Sequence, residues 1–265
     1  MKCNISICGS DGTRKLEKES SGSSPAELWA VYDGEYREGD RIELRCDREN
    51  AFIYVKLDDA MDGAVLFYTG PYSFPIPFGE AKLSYSPSSF SGKRHYLYVR
   101  EATEAEVAQE RNLACNPWDF HGNTGLFPHT WANVETRGES VFASRNAVDG
   151  LVANSFHGEW PYSSWGINRD PEAEFHLEFG REVALTAIGI WLRADFPHDA
   201  WWTEGTISFS DGSSLTLHFE KTGAEQRFSF PSRKVTSLTF HKLIKADDPS
   251  PFPALTQIAA YGREA

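Results

Sequence analysis

Residues 193–202, RADFPHDAWW, gather the side chains in this chain that are best suited to chemistry. Arg193, Asp195, His198 and Asp199 offer charge and hydrogen bonds, and Trp201 and Trp202 offer flat apolar area. Small-molecule sites divide labour in this way: an apolar platform provides contact area and a few polar groups fix orientation. A second aromatic segment, 156–162 (FHGEWPY), adds His157 and Trp160. Each residue also has a structural reading. Arg193 and Asp195 can form an ion pair, and the two histidines can be satisfied within the fold. One of two adjacent tryptophans on a strand must point inward.

The elements around this segment are strands. Ala187, Gly189, Trp191 and Arg193 alternate with Ile188, Ile190 and Leu192, the period of a strand with two different faces. Alternation resumes at 206–210, Asp211-Gly212 predicts a two-residue hairpin, and Leu215, Leu217 and Phe219 form the inward face of the return. A polar, aromatic loop carried on a rigid sheet is a common place for binding residues.

The chain has 265 residues, with 8 Trp, 10 Tyr, 18 Phe, 21 Gly and 14 Pro, a composition suited to many short strands and turns. Its formal net charge of -12 leaves no basic excess to neutralise phosphates, which argues against nucleic acid and against an anionic membrane surface. No apolar run is long enough to span a bilayer. The N-terminus lacks a secretory core, which predicts a cytoplasm-like compartment where Cys3, Cys8, Cys46 and Cys115 stay reduced. Those cysteines show no metal-ligand spacing.

Read in order, the chain predicts a mainly β protein. Two β-sandwich or jelly-roll domains, 1–125 and 126–265, are joined by one short helix. Residues 11–25 read as an exposed loop. Strands are expected at 28–32, 41–46, 51–57, 64–68, 82–85 and 95–100, and the prolines of GPYSFPIPFGE confine that piece to an edge. Thr103 followed by Glu106 resembles a capping box, opening a helix predicted to reach Leu113. Further strands are expected at 173–179, ended by Gly180, then at 226–230, 235–240 and 256–261.

No GxSxG, HExxH, GxxxxGK[ST] or strand-borne GxGxxG occurs. His198-Asp199 with Glu204, or two carboxylates drawn from Asp195, Asp199 and Glu204, would compose an acid/base set. With 38 acidic residues in the chain such a match arises cheaply, so the weight falls against an enzyme.

The order ASRNAVDG, SSWGIN, EFHLEFG, an aromatic loop, FSDGS and a closing TQIAAYG resembles the discoidin-type domain. This is the galactose-binding-like sandwich of coagulation-factor C-type domains and family 32 carbohydrate-binding modules. The resemblance covers about half of the chain, from Trp131 to Gly262. It implies an eight-stranded jelly roll with ligand loops at one end, and non-catalytic carbohydrate binding. Aromatic faces there stack on sugar rings while Arg193, Asp195, His198, Asp199 and His157 bond hydroxyls. Two other readings stand beside it: a protein-interaction or structural module, and a glycan-processing enzyme with its catalytic groups in the first half. The resemblance also implies a structural Ca²⁺ held by Asp149 and Asn154. Gln257 stands where the family commonly has Glu, so the site loses a charge.

Overall fold

A computed structural model describes residues 1–21, 27–196 and 198–265. The Ser/Gly/Pro cluster at 22–25 and Pro197 lie outside the described residues. The fold is mainly antiparallel β, as the alternating pattern predicts. In the first half the strands are β1 (Cys3–Cys8), β2 (Arg14–Glu19), β3 (Glu27–Asp33), β4 (Arg41–Cys46), β5 (Ala51–Lys56), β6 (Ala64–Tyr68), β7 (Tyr72–Pro75) and β8 (Arg94–Glu101). They form two sheets, β2-β1-β4-β7 and β10-β6-β5-β8-β3, where β10 is Leu126–Phe127 and β9 is Arg111–Asn112. Ile5, Ile42 and Phe74 of one sheet meet Ile53, Leu97 and Val99 of the other in a single core with Trp118. Each such fully buried side chain stabilises the fold by about 1.5–3 kcal/mol.

Four expectations change here. Residues 14–19 form an edge strand rather than a loop, with Leu16 opposite Ile7 and Lys15 ion-paired to Asp40 at 2.6 Å. A charged sequence suits an edge whose outer side meets water. Residues 79–84, placed partly in a strand, instead wind into a 3₁₀ turn closed by Tyr85 N donating to Lys82 O. The helix α1 is only Glu104–Ala108. Its capping box is present, with Thr103 and Glu106 bonded both ways. It ends early because Arg111 and Asn112 join the edge of a strand in the second half. Finally, Cys3 and Cys46 are not reduced thiols but a disulfide. They are register partners on neighbouring antiparallel strands, 4.1 Å apart at Cα.

The second half adds β11 (His129–Ala132), β12 (Trp165–Gly166), β13 (Phe175–Leu192), β14 (Trp202–Phe209), β15 (Ser214–His218), β16 (Gln226–Lys245) and β17 (Ala254–Glu264). The sheet order is β12-β17-β13-β16-β14-β15, with β11 and β9 joining β13 and β17. Gly180 does not end its strand. It bends β13 at φ +68°, where a Cβ would lie 2.4 Å from the Phe127 ring. Phe175, Leu177 and Phe179 before the bend and Ile188 and Ile190 after it therefore share one core with Trp165, Trp202 and Phe240. The two strands expected at 226–240 are likewise one, β16. Its Pro231 falls where the ladder to β13 skips from Arg233–Leu185 to Ser229–Ala187, the kind of irregularity that admits a proline.

Leu113 and Ala114 belong to the second core, and Trp118 and Leu126 to the first. Ser140 donates to Glu80 at 2.7 Å and Trp160 N donates to Leu83 O at 2.8 Å, tying the halves together. Among the described residues, no helix is long and apolar enough to cross a membrane.

Candidate functional site

β13 ends at Leu192 and the chain does not return to the sheet until Trp202. The loop between is pinned at its root: Arg193 N donates to Ala254 O and Ala194 N to Asn154 O, both at 3.0 Å. Asp195 sits under the loop with no exposed surface. Its Oδ1 lies 2.7 Å from Arg193 Nε, its Oδ2 accepts from His157 Nδ1, and His198 Nδ1 stands 4.0 Å away. A buried carboxylate needs such partners, because an unpaired one costs several kcal/mol. Arg193 is itself buried and donates through Nη2 to the carbonyls of His198 (3.3 Å) and Phe252. It therefore clamps the 193–201 loop to the segment that precedes β17.

His157 and His198 close over this pair, their rings edge-to-face at 4.4 Å. With Nδ1 of His157 turned to Asp195, its Nε2 is left for another partner. Desolvation, and then the charges of His157 and Arg193, hold the His198 imidazole below its ordinary value against the pull of Asp195. These groups line a cleft of about 140 Å³ with Phe252, Asn168, Arg169 and Arg137. Arg169 lies over the Phe252 ring at 4.3 Å, and His198 meets the same ring edge-on.

The loops around His157 and His198 also carry exposed aromatics. Phe196, next to Asp195 in the chain, is 86% exposed; Phe156 is 54% exposed and stacks on His157 at 5.3 Å. Phe196, Phe252 and Arg169 are not among the candidates the sequence offers, while Phe156 lies in the aromatic segment it does mark. Phe196 carries a signal, an apolar ring inside a polar loop, but the Trp pair beside it is the stronger one.

Several expected ligand residues lie elsewhere. Trp202 is fully buried in the second core, because it opens β14 with its ring against Trp165 and Phe240. Trp201 is half-buried and packs on the same core. Asp199 pairs with Lys221 at 3.0 Å. Trp160 lines a different cavity, of about 160 Å³, with Tyr85, Met61, Arg145 and Asp149. Asp195 has no exposed surface, so it supports the site from below. Of the acid/base candidates, Glu204 on β14 faces its cross-strand neighbour His218 at 3.4 Å.

The calcium donors do not converge. Asn154 turns its amide to the carbonyls of Leu192 and Gly223, at 2.7 Å each. Gln257 Nε2 donates to Asp149 Oδ1 at 2.7 Å and to Asn146 O at 2.6 Å. An amide N–H thus occupies the position between two oxygens that a hard cation would need. Burial pushes the Asp149 carboxyl up to about 7 despite Arg145 and these bonds. As they stand, Asp149 and Gln257 are bonded to each other and Asn154 to Leu192 and Gly223, while Asp149 Oδ2 is buried with no hydrogen-bond partner among the described residues.

No family model matches this chain, and no curated protein matches it. Solved structures similar to it include three sugar-binding modules. A chitosan-binding module of a Paenibacillus chitosanase/glucanase is 17% identical, covering 57% of this chain and 99% of its own, with a TM-score of 0.40. A Streptococcus pneumoniae fucose-binding module is 15% identical over 58% of this chain and 99% of its own, at 0.41. The family 32 carbohydrate-binding module of C. perfringens NanJ, solved with galactose, is 13% identical over 50% of this chain and 91% of its own, at 0.38.

Proposed function

We propose that the chain binds a carbohydrate, without altering it, in the cleft beside the 193–201 loop. One observation carries the reading: two partly exposed histidines stand over a buried carboxylate, His157 bonded to it and His198 Nδ1 4.0 Å away, with exposed phenylalanines in the same loops. A sugar has an apolar C–H face and a rim of hydroxyls. Phe196 and Phe156 supply surfaces for the face, and His157 and His198 supply bonds for the rim. Arg193 and Asp195 hold the histidines in place. Sites of this shallow kind bind modestly, with Kd on the order of 0.1–1 mM.

Calorimetric titration with a panel of mono- and oligosaccharides, galactose included, tests the proposal beside a hydrolysis assay on the same panel. Binding without product, lost in His157→Ala, supports it. Product formation would make the chain an enzyme, and a panel with no binder would leave the cleft without this function.

A further inference from the structure

The cleft is more cationic than the molecule around it. The chain carries a formal net charge of -12, yet among the described residues the cleft wall holds three arginines, Arg137, Arg169 and Arg193, and no carboxylate. Two of these arginines are answered locally. Arg137 is bonded to Glu139 through Nε and Nη2, both at 2.6 Å, and Arg193 faces the buried Asp195. Among the described residues, no carboxylate lies within 4.0 Å of the Arg169 guanidinium. Arg169 is exposed, and its position over Phe252 sets the guanidinium at the cleft.

The backbone beneath it is unusual. Arg137, Asn168 and Arg169 have φ of 53°, 51° and 65°, a region where a side chain is strained and glycine is not. Asn168 N donates to Thr136 Oγ1 at 2.9 Å, which joins the two turns that carry these residues. Strained non-glycine residues tend to gather where a site needs a side chain in a set place.

We infer that the sugar taken by this cleft is acidic, carrying a carboxylate or sulfate that Arg169 binds. This rests on the carbohydrate reading and names the ligand class of that site. A guanidinium presents parallel N–H donors that match the two oxygens of a carboxylate or sulfate, and such charge-assisted pairs are stronger than hydroxyl bonds. In a chain that otherwise repels anions, the cleft would select them.

The test compares each neutral hexose with its acidic counterparts: galactose with galacturonate and galactose 6-sulfate, and glucose with glucuronate. On the wild type at low salt, an acidic member should bind about ten-fold tighter than its neutral parent, the gain of one charged hydrogen bond. The ratio should fall toward one at high salt and in Arg169→Gln, with Arg169→Lys between. Which acidic member binds distinguishes carboxylate from sulfate. Neutral parents binding as tightly as acidic ones would overturn the inference while leaving carbohydrate binding intact. No sugar binding at all would overturn both. Inorganic sulfate alone binding as tightly as the sugars, or a ratio unchanged in a folded Arg169→Gln, would also overturn it. The salt dependence needs no variant, so a misfolded mutant does not remove the test.

Discussion

At the scale of single residues, burial separates the side chains that hold the site from those that meet a ligand. Phe196 is 86% exposed and has little packing to lose. Phe196→Ala should weaken sugar binding while leaving the melting temperature within about 1 °C, since surface changes rarely exceed about 0.5 kcal/mol. Arg193→Ala should do the reverse. It would strand the buried Asp195 and unclamp Phe252 and His198, costing roughly 3–5 kcal/mol. A stable Arg193→Ala protein in urea titration would show that the clamp is not structural. Asp149 gives a pH signature. Its carboxyl titrates at about 7 when folded and at about 4 when unfolded. Between those values the folded state binds more protons, so its contribution to stability falls as pH rises through the window. Asp149→Asn removes the titration. The melting temperature of the variant relative to wild type should therefore climb from pH 4 to pH 7; a constant difference would sink the assignment.

At the scale of elements, the decisive feature is how β13 and β14 frame the loop. Trp202 opens β14 opposite Lys245 of β16 and faces the core with no exposed surface. Trp202→Ala should cost about 3–5 kcal/mol through the cavity it leaves, whatever it does to binding. Chemical denaturation checks this directly, and a loss below about 1 kcal/mol would contradict the packing. Trp201, its neighbour, lies half-buried on the same core, so its replacement should cost less.

For the molecule as a whole, the two cores are joined through the 111–126 segment and the contacts of Glu80, Leu83 and Trp160. The first core also carries a covalent tie. Cys3 and Cys46 are 43 residues apart, and closing a loop of that length removes enough unfolded-chain entropy to stabilise by roughly 4 kcal/mol. Cys3→Ser with Cys46→Ser should lower the stability of the first half by that order, and dithiothreitol should do the same to the wild type. No change under either treatment would mean that the bond does not form in the protein as expressed.

Much of the fold is local and was therefore legible. Period-2 alternation marks β4, and an apolar run after Asp62-Gly63 marks β6, both to the residue; Asp211-Gly212 marks a hairpin with Gly212 at φ +84°, but Phe209 N bonds Ser213 O, so the loop is longer than the two residues expected. The Thr103–Glu106 cap is equally local. The loop of 193–202 and the roles of His157 and His198 as neighbours could be suspected from residue types. What alternation cannot report is which strand lies beside which. That choice made Cys3 and Cys46 partners, cut α1 short at β9, and carried β13 through Gly180. Nor does residue type report exposure. Trp202 and Phe196 stand in one loop segment, and only the packing of the second core put the larger ring inside and left the smaller one in water. Arg169 shows the same limit most clearly: it is an ordinary charged residue in the sequence, and only the meeting of distant turns at Phe252 makes it part of a cleft.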